Sequence, residues 1–361
     1  MPKREAAGER ADVAVVIVNY GTAELAISGV ESVLAHHHGG RHVTVHLIDN
    51  ASPGDDAALL AETYRERAWS DRVTLYQEPI NHGFGRGNNI VLRTLAALAH
   101  PPDKVMLLNP DARLTTETVA ALADCLDAHP HAAVAGAGIN RPGGEAVAAA
   151  FRFPSLAGEF AGSVRSRFTD RLFAHWLVAR PPNQPTGPVD WVSGAAMMIR
   201  MRALIEADFF DPDYFLYFEE TDLMHRLARK NWQVWHVAGA NIEHAAGAAT
   251  GLRDGRSREK QALPPYWYES WRLYFVKNHG RCYAIAAALA KWTGMTLNSV
   301  LRRMQGRPPD APRHFNRDFR RYILAPLLFS ASPGKPQIHG DSEPAHRSRE
   351  QDKIDHAAGN P

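Results

Sequence analysis

The chain has 361 residues, enough for two domains or one large domain with an appendage. Hydrophobic residues at 45% and charged residues at 22% are ordinary for a globular protein. With 41 Lys and Arg against 39 Asp and Glu, there is no global basic field of the kind nucleic-acid binding uses, so no nucleic-acid partner is expected.

Two cysteines, Cys125 and Cys282, are too few for a disulfide framework and too far apart for metal-ligand spacing, which fits a reducing compartment. Residues 1–10 are charged and lack the apolar core of a signal peptide, so they read as a flexible N-terminus. No window reaches about 18 consecutive apolar residues, and no membrane-spanning helix is expected.

Ala11 to Val18 is a β-branched run that stops at Asn19-Tyr20-Gly21, a strand followed by a turn. Ala23 to Leu34 carries apolar residues at helical spacing, and Val43 to Ile48 is a second strand ending in Asp49-Asn50-Ala51-Ser52. Ala57 to Ala68 reads as a helix and Val73 to Tyr76 as a strand. A glycine-rich turn from Asn81 to Asn89 then opens a helix from Ile90 to Ala99. Val105 to Leu108 is a buried strand halted at Asn109-Pro110-Asp111, because Pro110 has no N–H for a ladder and holds Asn109 extended. Strand and helix in strict alternation predict an α/β fold with a mostly parallel central sheet flanked by helices.

Polar residues therefore gather at the carboxyl ends of at least three strands, where open α/β sheets bind ligands. Asp111 either holds a divalent cation on a nucleotide diphosphate or shapes the turn. Gly83, Gly85 and Gly87 do not have the dinucleotide-binding spacing. They either supply unusual backbone angles or let a helix N-terminus approach an anion.

Further along, Thr115 to His129 reads as a helix capped by Thr115 or Thr116, and Val134 to Ile139 as a strand. Phe151 to Pro188 has no clear period and reads as a long functional loop. Val189 to Ile199 reads as one strand kinked at Gly194. Glu219, Glu220 and Asp222 then open a helix from Leu223 to Lys230, where carboxylates suit the macrodipole as well as they suit acid–base chemistry. Gln233 to Ala238 is a strand, followed by Ile242-Glu243-His244 and a small-residue loop through Gly251. Tyr266 to Lys277 is an aromatic helix whose Tyr268, Trp271 and Tyr274 form either a core stripe or a sugar- or lipid-facing surface. The apolar run Cys282 to Ala290 ends at Lys291 and reads as a buried helix. Residues beyond Ser330 are polar and expected to be disordered.

These segments together resemble the inverting family 2 glycosyltransferases, and within them the bacterial rhamnosyltransferase-like branch. The resemblance rests on Val15 to Tyr20, Ile48 to Ser52, Asn81 to Asn88, Leu107 to Asp111, Trp191 to Ala195, Tyr217 to Leu223, and His244 with Gly247, in the family's order across residues 11 to 280. It implies a GT-A fold with a nucleotide-sugar-binding half at 11–112, an acceptor-binding half at 113–255, a helical extension at 256–330 and a tail at 331–361. Asn19, Tyr20, Asp49, Asn50, Asn81, Gly83, Phe84, Gly87, Asn88, Asn109 and Asp111 would then contact the nucleotide-diphospho-sugar donor. Trp191, Ser193 and Gly194 would shape the acceptor pocket, and Asp111 with His244 would hold Mn2+ or Mg2+. Glu220 falls at the family's catalytic base, with Glu219 and Asp222 beside it.

Two residues depart from the family's pattern. Asn109 stands where a full DxD motif has an aspartate, and Glu220 where an aspartate is more frequent, so its carboxylate reaches one methylene further. The site then brings one negative charge of its own, and the cation is expected to arrive with the donor's diphosphate.

The resemblance also implies a saccharide or lipid-linked acceptor, dTDP-L-rhamnose as donor, and a cytoplasmic protein in peripheral contact with the inner face of the cell membrane. Arg272 and Lys277 are expected to face a lipid-linked diphosphate. A sugar-1-phosphate nucleotidyltransferase would want a basic, glycine-rich loop after the first strand, and Asn19-Tyr20-Gly21-Thr22 has no basic residue. A non-catalytic carbohydrate-binding scaffold would not need Asp111, Glu220 and His244.

Overall fold

The computed structural model describes residues 11–245 and 262–335. Residues 1–10, the segment 246–261 with Gly247 and most of the expected small-residue loop, and the tail from 336 lie outside the described residues.

The chain begins with β1 (Val13–Asn19), α1 (Ala23–Leu34), β2 (Val43–Asn50), α2 (Asp56–Glu66), β3 (Val73–Glu78), α3 (Gly83–Ala96) and β4 (Lys104–Leu108). The four strands pair in parallel in the order β3-β2-β1-β4. Every residue of β1 and β4 is buried, as a sheet covered on both faces requires. The two-residue period of a strand then splits β1 between two cores. Val13, Val15 and Ile17 pack on one face with α1 and α2, while Ala14, Val16 and Val18 pack on the other with α3.

The chain continues with β5 (Ala112–Leu114), α4 (Thr118–Ala128), β6 (Ala132–Asn140), β7 (Ala146–Val147), β8 (Ala150–Phe151), α5 (Leu156–Val164) and α6 (Arg167–Leu172). It then forms β9 (Gly187–Val189), β10 (Trp191–Val192), β11 (Ala196–Arg200), α7 (Met201–Glu206), α8 (Glu219–Ala228) and β12 (Gln233–His244). β11 enters the sheet antiparallel between β4 and β6, β12 lies parallel to β6, and β5 closes the path antiparallel to β12. A helical region follows: α9 (Pro265–His279), α10 (Arg281–Met304), α11 (Phe315–Phe319), a π turn over Arg320–Leu324, and α12 (Ala325–Phe329). It has its own core, in which Tyr268, Trp271 and Tyr274 are fully buried, so the stripe belongs to the core.

Several boundaries differ from the sequence reading. The glycine-rich run does not precede α3 but forms its first turns. A Cβ on Gly83 would lie 2.0 Å from the Phe215 carbonyl oxygen, and φ there is +74°. A Cβ on Gly85 would crowd Phe210 at 3.1 Å, and on Gly87 the Val18 side chain at 3.2 Å. The glycines serve close packing of helix on strand and loop. Helix α4 starts at Thr118, later than expected. Thr116 and Thr118 bind the Asn241 backbone instead of capping, and the Glu117 carboxylate accepts the N–H groups of His37 and His38.

The stretch Phe151 to Pro188 contains α5 and α6, each begun by a serine whose side chain accepts a backbone N–H, from Gly158 and from Thr169. The expected single strand from Val189 to Ile199 is three short strands. β10 pairs with β8 in a separate ribbon, and Ser193-Gly194-Ala195 turns the chain into the main sheet. β12 is longer than expected, because an irregularity between Val237 and Asn241 lets it run on to pair His244 with Ala112.

One side chain fixes the segment leading to α8. Asn89 on α3 donates to the Phe210 carbonyl (2.8 Å) and accepts from the Phe210 N–H (3.0 Å), both bonds buried. Replacing Asn89 by Ala leaves two buried backbone groups unpaired, at about 1–3 kcal/mol each. Urea denaturation of Asn89→Ala should show a loss of about 2–6 kcal/mol relative to the unaltered chain.

Candidate active site

The carboxyl ends of β1 and β2 are joined by a side-chain network. Asn19 Nδ2 lies 3.1 Å from Asp49 Oδ1, 3.0 Å from Ser52 Oγ and 3.1 Å from Asp56 Oδ2, while Asn19 Oδ1 accepts from Thr22. Asp49 Oδ2 accepts from the Ser52 N–H at 3.3 Å. Asn19 is therefore used up in holding two loops together. Asp49, with two lone pairs on each oxygen, keeps accepting capacity for a base N–H. Asp56 is the member of this network that the sequence reading did not single out. Its signal was its place as the first acidic residue of α2.

Asn50 performs the same task one loop on. Its Nδ2 donates to Asn81 Oδ1 and to the Gly83 carbonyl, both at 3.1 Å, and its Oδ1 accepts from the His82 N–H at 3.0 Å. The first amides of α3 are satisfied internally, Gly83 by Asn81 and Phe84 by the Phe215 carbonyl. Those two amides are taken up within the chain, which favours the packing reading of the glycines. Asn88 is buried and donates to the Phe84 carbonyl. Tyr20 faces Tyr266 of α9, whose hydroxyl is pushed above its ordinary pKa first by burial and then by Tyr20.

The fold brings Asn109, Asp111 and His244 together across 133 residues of sequence. His244 Nε2 is 2.9 Å from Asp111 Oδ1, and 3.4 Å from Asn109 Nδ2. Two cis ligands of an octahedral ion with bonds of about 2.1–2.2 Å stand about 3 Å apart, so this carboxylate–imidazole pair fits one edge of a hard cation's shell. Among the described residues no group of three or more His, Cys, Asp and Glu side chains could hold a metal ion.

Glu219 and Glu220 open α8, behind Tyr217 and Phe218, which are both left-handed (φ +72° and +68°). Two successive non-glycine residues in that region cost energy that the surrounding packing must offset. Glu219 is 3% exposed. One carboxylate oxygen of each glutamate is buried without a hydrogen-bond partner. Burial, and then repulsion by Glu220, hold the Glu219 carboxyl well above the usual range. Burial also raises Glu220, against hydrogen bonds from its own N–H and that of Gly194. Gly194 lies against both partners: a Cβ there would be 3.4 Å from the Phe84 ring and 3.8 Å from Glu220 Oε1. Phe84 therefore borders the acid pair. Ser193 Oγ accepts the Ala195 N–H, and Trp191 is stacked on Phe151 with its indole N–H on the Arg152 carbonyl.

Asp222, fully buried, is surrounded by donors. Arg226 Nε is 2.8 Å away, Lys277 Nζ 2.7 Å and Asn278 Nδ2 2.9 Å, with the Tyr214 hydroxyl at 3.4 Å. Burial raises its pKa, but Lys277 and Arg226 outweigh that and hold the carboxyl below the usual range. Lys277, which also bridges Asp211 at 2.5 Å, thus ties α9 to α8 and does not face a lipid-linked diphosphate. Nor does Arg272, which is fully buried and donates to the carbonyls of Tyr322 and Lys335. The i, i+4 spacing of Asp222 and Arg226 was legible in the sequence. The reach of Lys277 and Asn278 from α9 was not.

A mostly parallel sheet ending in these polar loops, an acidic helix start beside them, and a helical extension are the architecture of the GT-A fold. Residues 10–260 match the family described as glycosyltransferase like family 2, and the chain belongs to it. N-acetylglucosaminyl-diphospho-decaprenol L-rhamnosyltransferase of Mycobacterium tuberculosis, in strains CDC 1551 / Oshkosh and ATCC 25618 / H37Rv, is 28% identical over 223 residues, 58% of this chain and 69% of the relative. Two solved structures share the fold. GalNAc-T7 with UDP, GalNAc and Mn2+ superposes with a TM-score of 0.53 at 12% identity, over 89% of this chain and 58% of that one. The mannosyltransferase PcManGT from Pyrobaculum calidifontis, in complex with GDP-Man and Mn2+, gives 0.51 at 14% identity, over 90% and 87%.

Removing the charge at Asp222 takes from Arg226 its carboxylate and leaves Lys277 with Asp211 alone, and breaking a buried pair costs about 3–5 kcal/mol. Lys277 is partly exposed, so the lower end applies: Asp222→Asn should lose about 3 kcal/mol at neutral pH in a denaturation titration. The depressed carboxyl contributes stability above its unfolded pKa of about 3.9, and loses it as pH falls through the folded value. The gap between the variant and the unaltered chain should therefore shrink on acidification below about pH 4.

Proposed function

We propose that this glycosyltransferase moves L-rhamnose from dTDP-L-rhamnose to a lipid-linked diphospho-saccharide, inverting the anomeric centre with the help of a divalent cation, Mn2+ or Mg2+. Residues 11–112 form the donor half in this reading. There Asp49, Asn50, Asn81, Gly83, Gly87, Asn88 and Asn109 line or support the nucleotide-sugar cleft opened by Asn19 and Tyr20. Residues 113–255 form the acceptor half, with Trp191, Ser193 and Gly194 at its wall and Phe84 between the two. The transferred L-rhamnose and the lipid-linked acceptor class are taken from the name of the mycobacterial relative, and dTDP from the family resemblance. A lipid-linked acceptor would be met at the inner face of the cell membrane, which supports peripheral contact there. Among the described residues no helix is long and apolar enough to cross a membrane.

The observation that carries the mechanism is the buried pair at the start of α8. Glu219, enclosed and repelled by its neighbour, is the harder of the two to ionise; Glu220, half-buried and bonded to the Gly194 N–H, is the carboxylate that reaches the acceptor. Glu220 takes the proton of the acceptor hydroxyl as that oxygen bonds to the anomeric carbon, and the nucleoside diphosphate departs with the electrons of the broken bond. One displacement inverts the centre, and no carboxylate nucleophile is required. Asp222 holds α8 in place through Lys277 and Arg226. Asp111 and His244 would hold the cation, which neutralises charge on the leaving diphosphate.

Glu220→Gln should lower kcat by roughly 10²–10⁴-fold while leaving the Kd for the nucleotide-sugar unchanged. The acid limb of kcat/KM for the unaltered enzyme should lie above the ordinary glutamate value of about 4.3, because activity needs the ionised base and burial raises its pKa. Wild-type turnover in the glutamine variant sinks the base assignment. Asp111→Ala should abolish the Mn2+-dependent rise in Tm produced by dTDP, whereas a shift that persists at full size would place the cation elsewhere.

A further inference from the structure

A cavity of about 550 Å³ opens between the junction of α5 and α6 and the C-terminal turns of α10, away from every residue of the transfer site. Arg165, Arg167, Arg302 and Arg307 line it, together with Leu301 and Asn298. Asp310 offsets part of this charge, at 3.2 Å from Arg165 and 3.8 Å from Arg302. Among the described residues Arg167 and Arg307 pair with no carboxylate. Asn298 is 2% exposed; its Nδ2 binds the Val164 carbonyl and its Oδ1 is left without a partner, an acceptor placed for a headgroup hydroxyl.

The ground around the cavity is apolar. On α6 Phe168 is 75% exposed and Leu172 lies exposed one turn on, with Trp176 just beyond; along α10 Leu297, Val300 and Met304, the last 79% exposed, follow helical spacing on one outward stripe. Arg171 and Arg303 are exposed beside them. Exposed aromatic and aliphatic side chains interleaved with arginines suit the boundary of a bilayer, where the apolar groups enter the acyl layer and the guanidinium groups meet phosphates. The arginine fork matches phosphate oxygens in pairs.

We propose that this face of α6 and α10 docks on an anionic lipid bilayer, with a lipid phosphate received in the arginine-lined cavity. The proposal rests on the peripheral-contact part of the proposed function and adds the surface that makes the contact. It is independent of the sugar and of the base.

The test is flotation of the full chain, without donor or acceptor, on vesicles of phosphatidylcholine alone and of phosphatidylcholine mixed with phosphatidylglycerol. The unaltered chain should float with the mixed vesicles only, and less so as salt rises. Arg167→Gln with Arg307→Gln should weaken partition by about 25-fold, about fivefold for each basic residue at an anionic surface. Phe168→Ser with Leu172→Ser should weaken it even at low salt, and both pairs should keep the unaltered Tm because the replaced side chains are exposed. Equal flotation on the two vesicle types, or pairs of variants that float like the unaltered chain, would overturn the proposal. Transfer to a water-soluble short-chain acceptor should be unchanged in all variants, so a failed surface and a failed reaction assignment give different results.

Discussion

The ion pairs around Asp222 are the constraint on which the rest of the site depends. Three carboxylates begin α8 within four residues, and the fold treats them in opposite ways. Asp222 is enclosed by Arg226, Lys277 and Asn278 and held ionised, while Glu219, buried, and Glu220, half-buried, have no cation beside them in the described contacts and are pushed upward. Environments that separate the pKa values of neighbouring carboxyls let one short segment hold both an ionised anchor and carboxyls that are harder to ionise. Because Lys277 and Asn278 belong to α9, the helical extension is part of the acid pair's support.

The transfer site is otherwise built from amide side chains that brace loops. Asn19 links the loops after β1 and β2, Asn50 fixes the turn before α3, and Asn89 clamps the segment that delivers α8. Each offers a donor and an acceptor in a fixed plane, so it can satisfy two backbone or side-chain groups at once without adding charge. Such bracing leaves the charge of the pocket to its carboxylates and to whatever ligand it receives.

How much of this was legible in the sequence differs from residue to residue. β1, β2 and β4 were, because a strand buried on both faces is written mostly in β-branched and apolar residues, and Pro110 marks where β4 must stop. The family order of motifs gave the GT-A fold, and it named Asp111 and His244, which the structure sets 2.9 Å apart. Length of elements was less legible. The glycines of α3 look like a turn because their reason, the Phe215 carbonyl and the Phe210 side chain, lies more than a hundred residues away. The strand from Val189 looked continuous because a change of sheet at Ser193-Gly194 leaves no compositional mark. Roles that depend on a partner from another element, such as Lys277 locking Asp222 or Arg272 buried under carbonyls, cannot be read from the residue alone.

The run of β12 past its irregularity has a consequence for the chain as a whole. It sets His244 against Asp111, 133 residues earlier, in a protein whose two cysteines are unpaired. A cation shared by those two side chains would close a long loop in the way a disulfide does in a secreted protein, but reversibly and only while the donor's phosphates complete its shell. The substrate would then act as a removable cross-link, and the resistance of the sheet to unfolding would rise and fall with the supply of activated sugar.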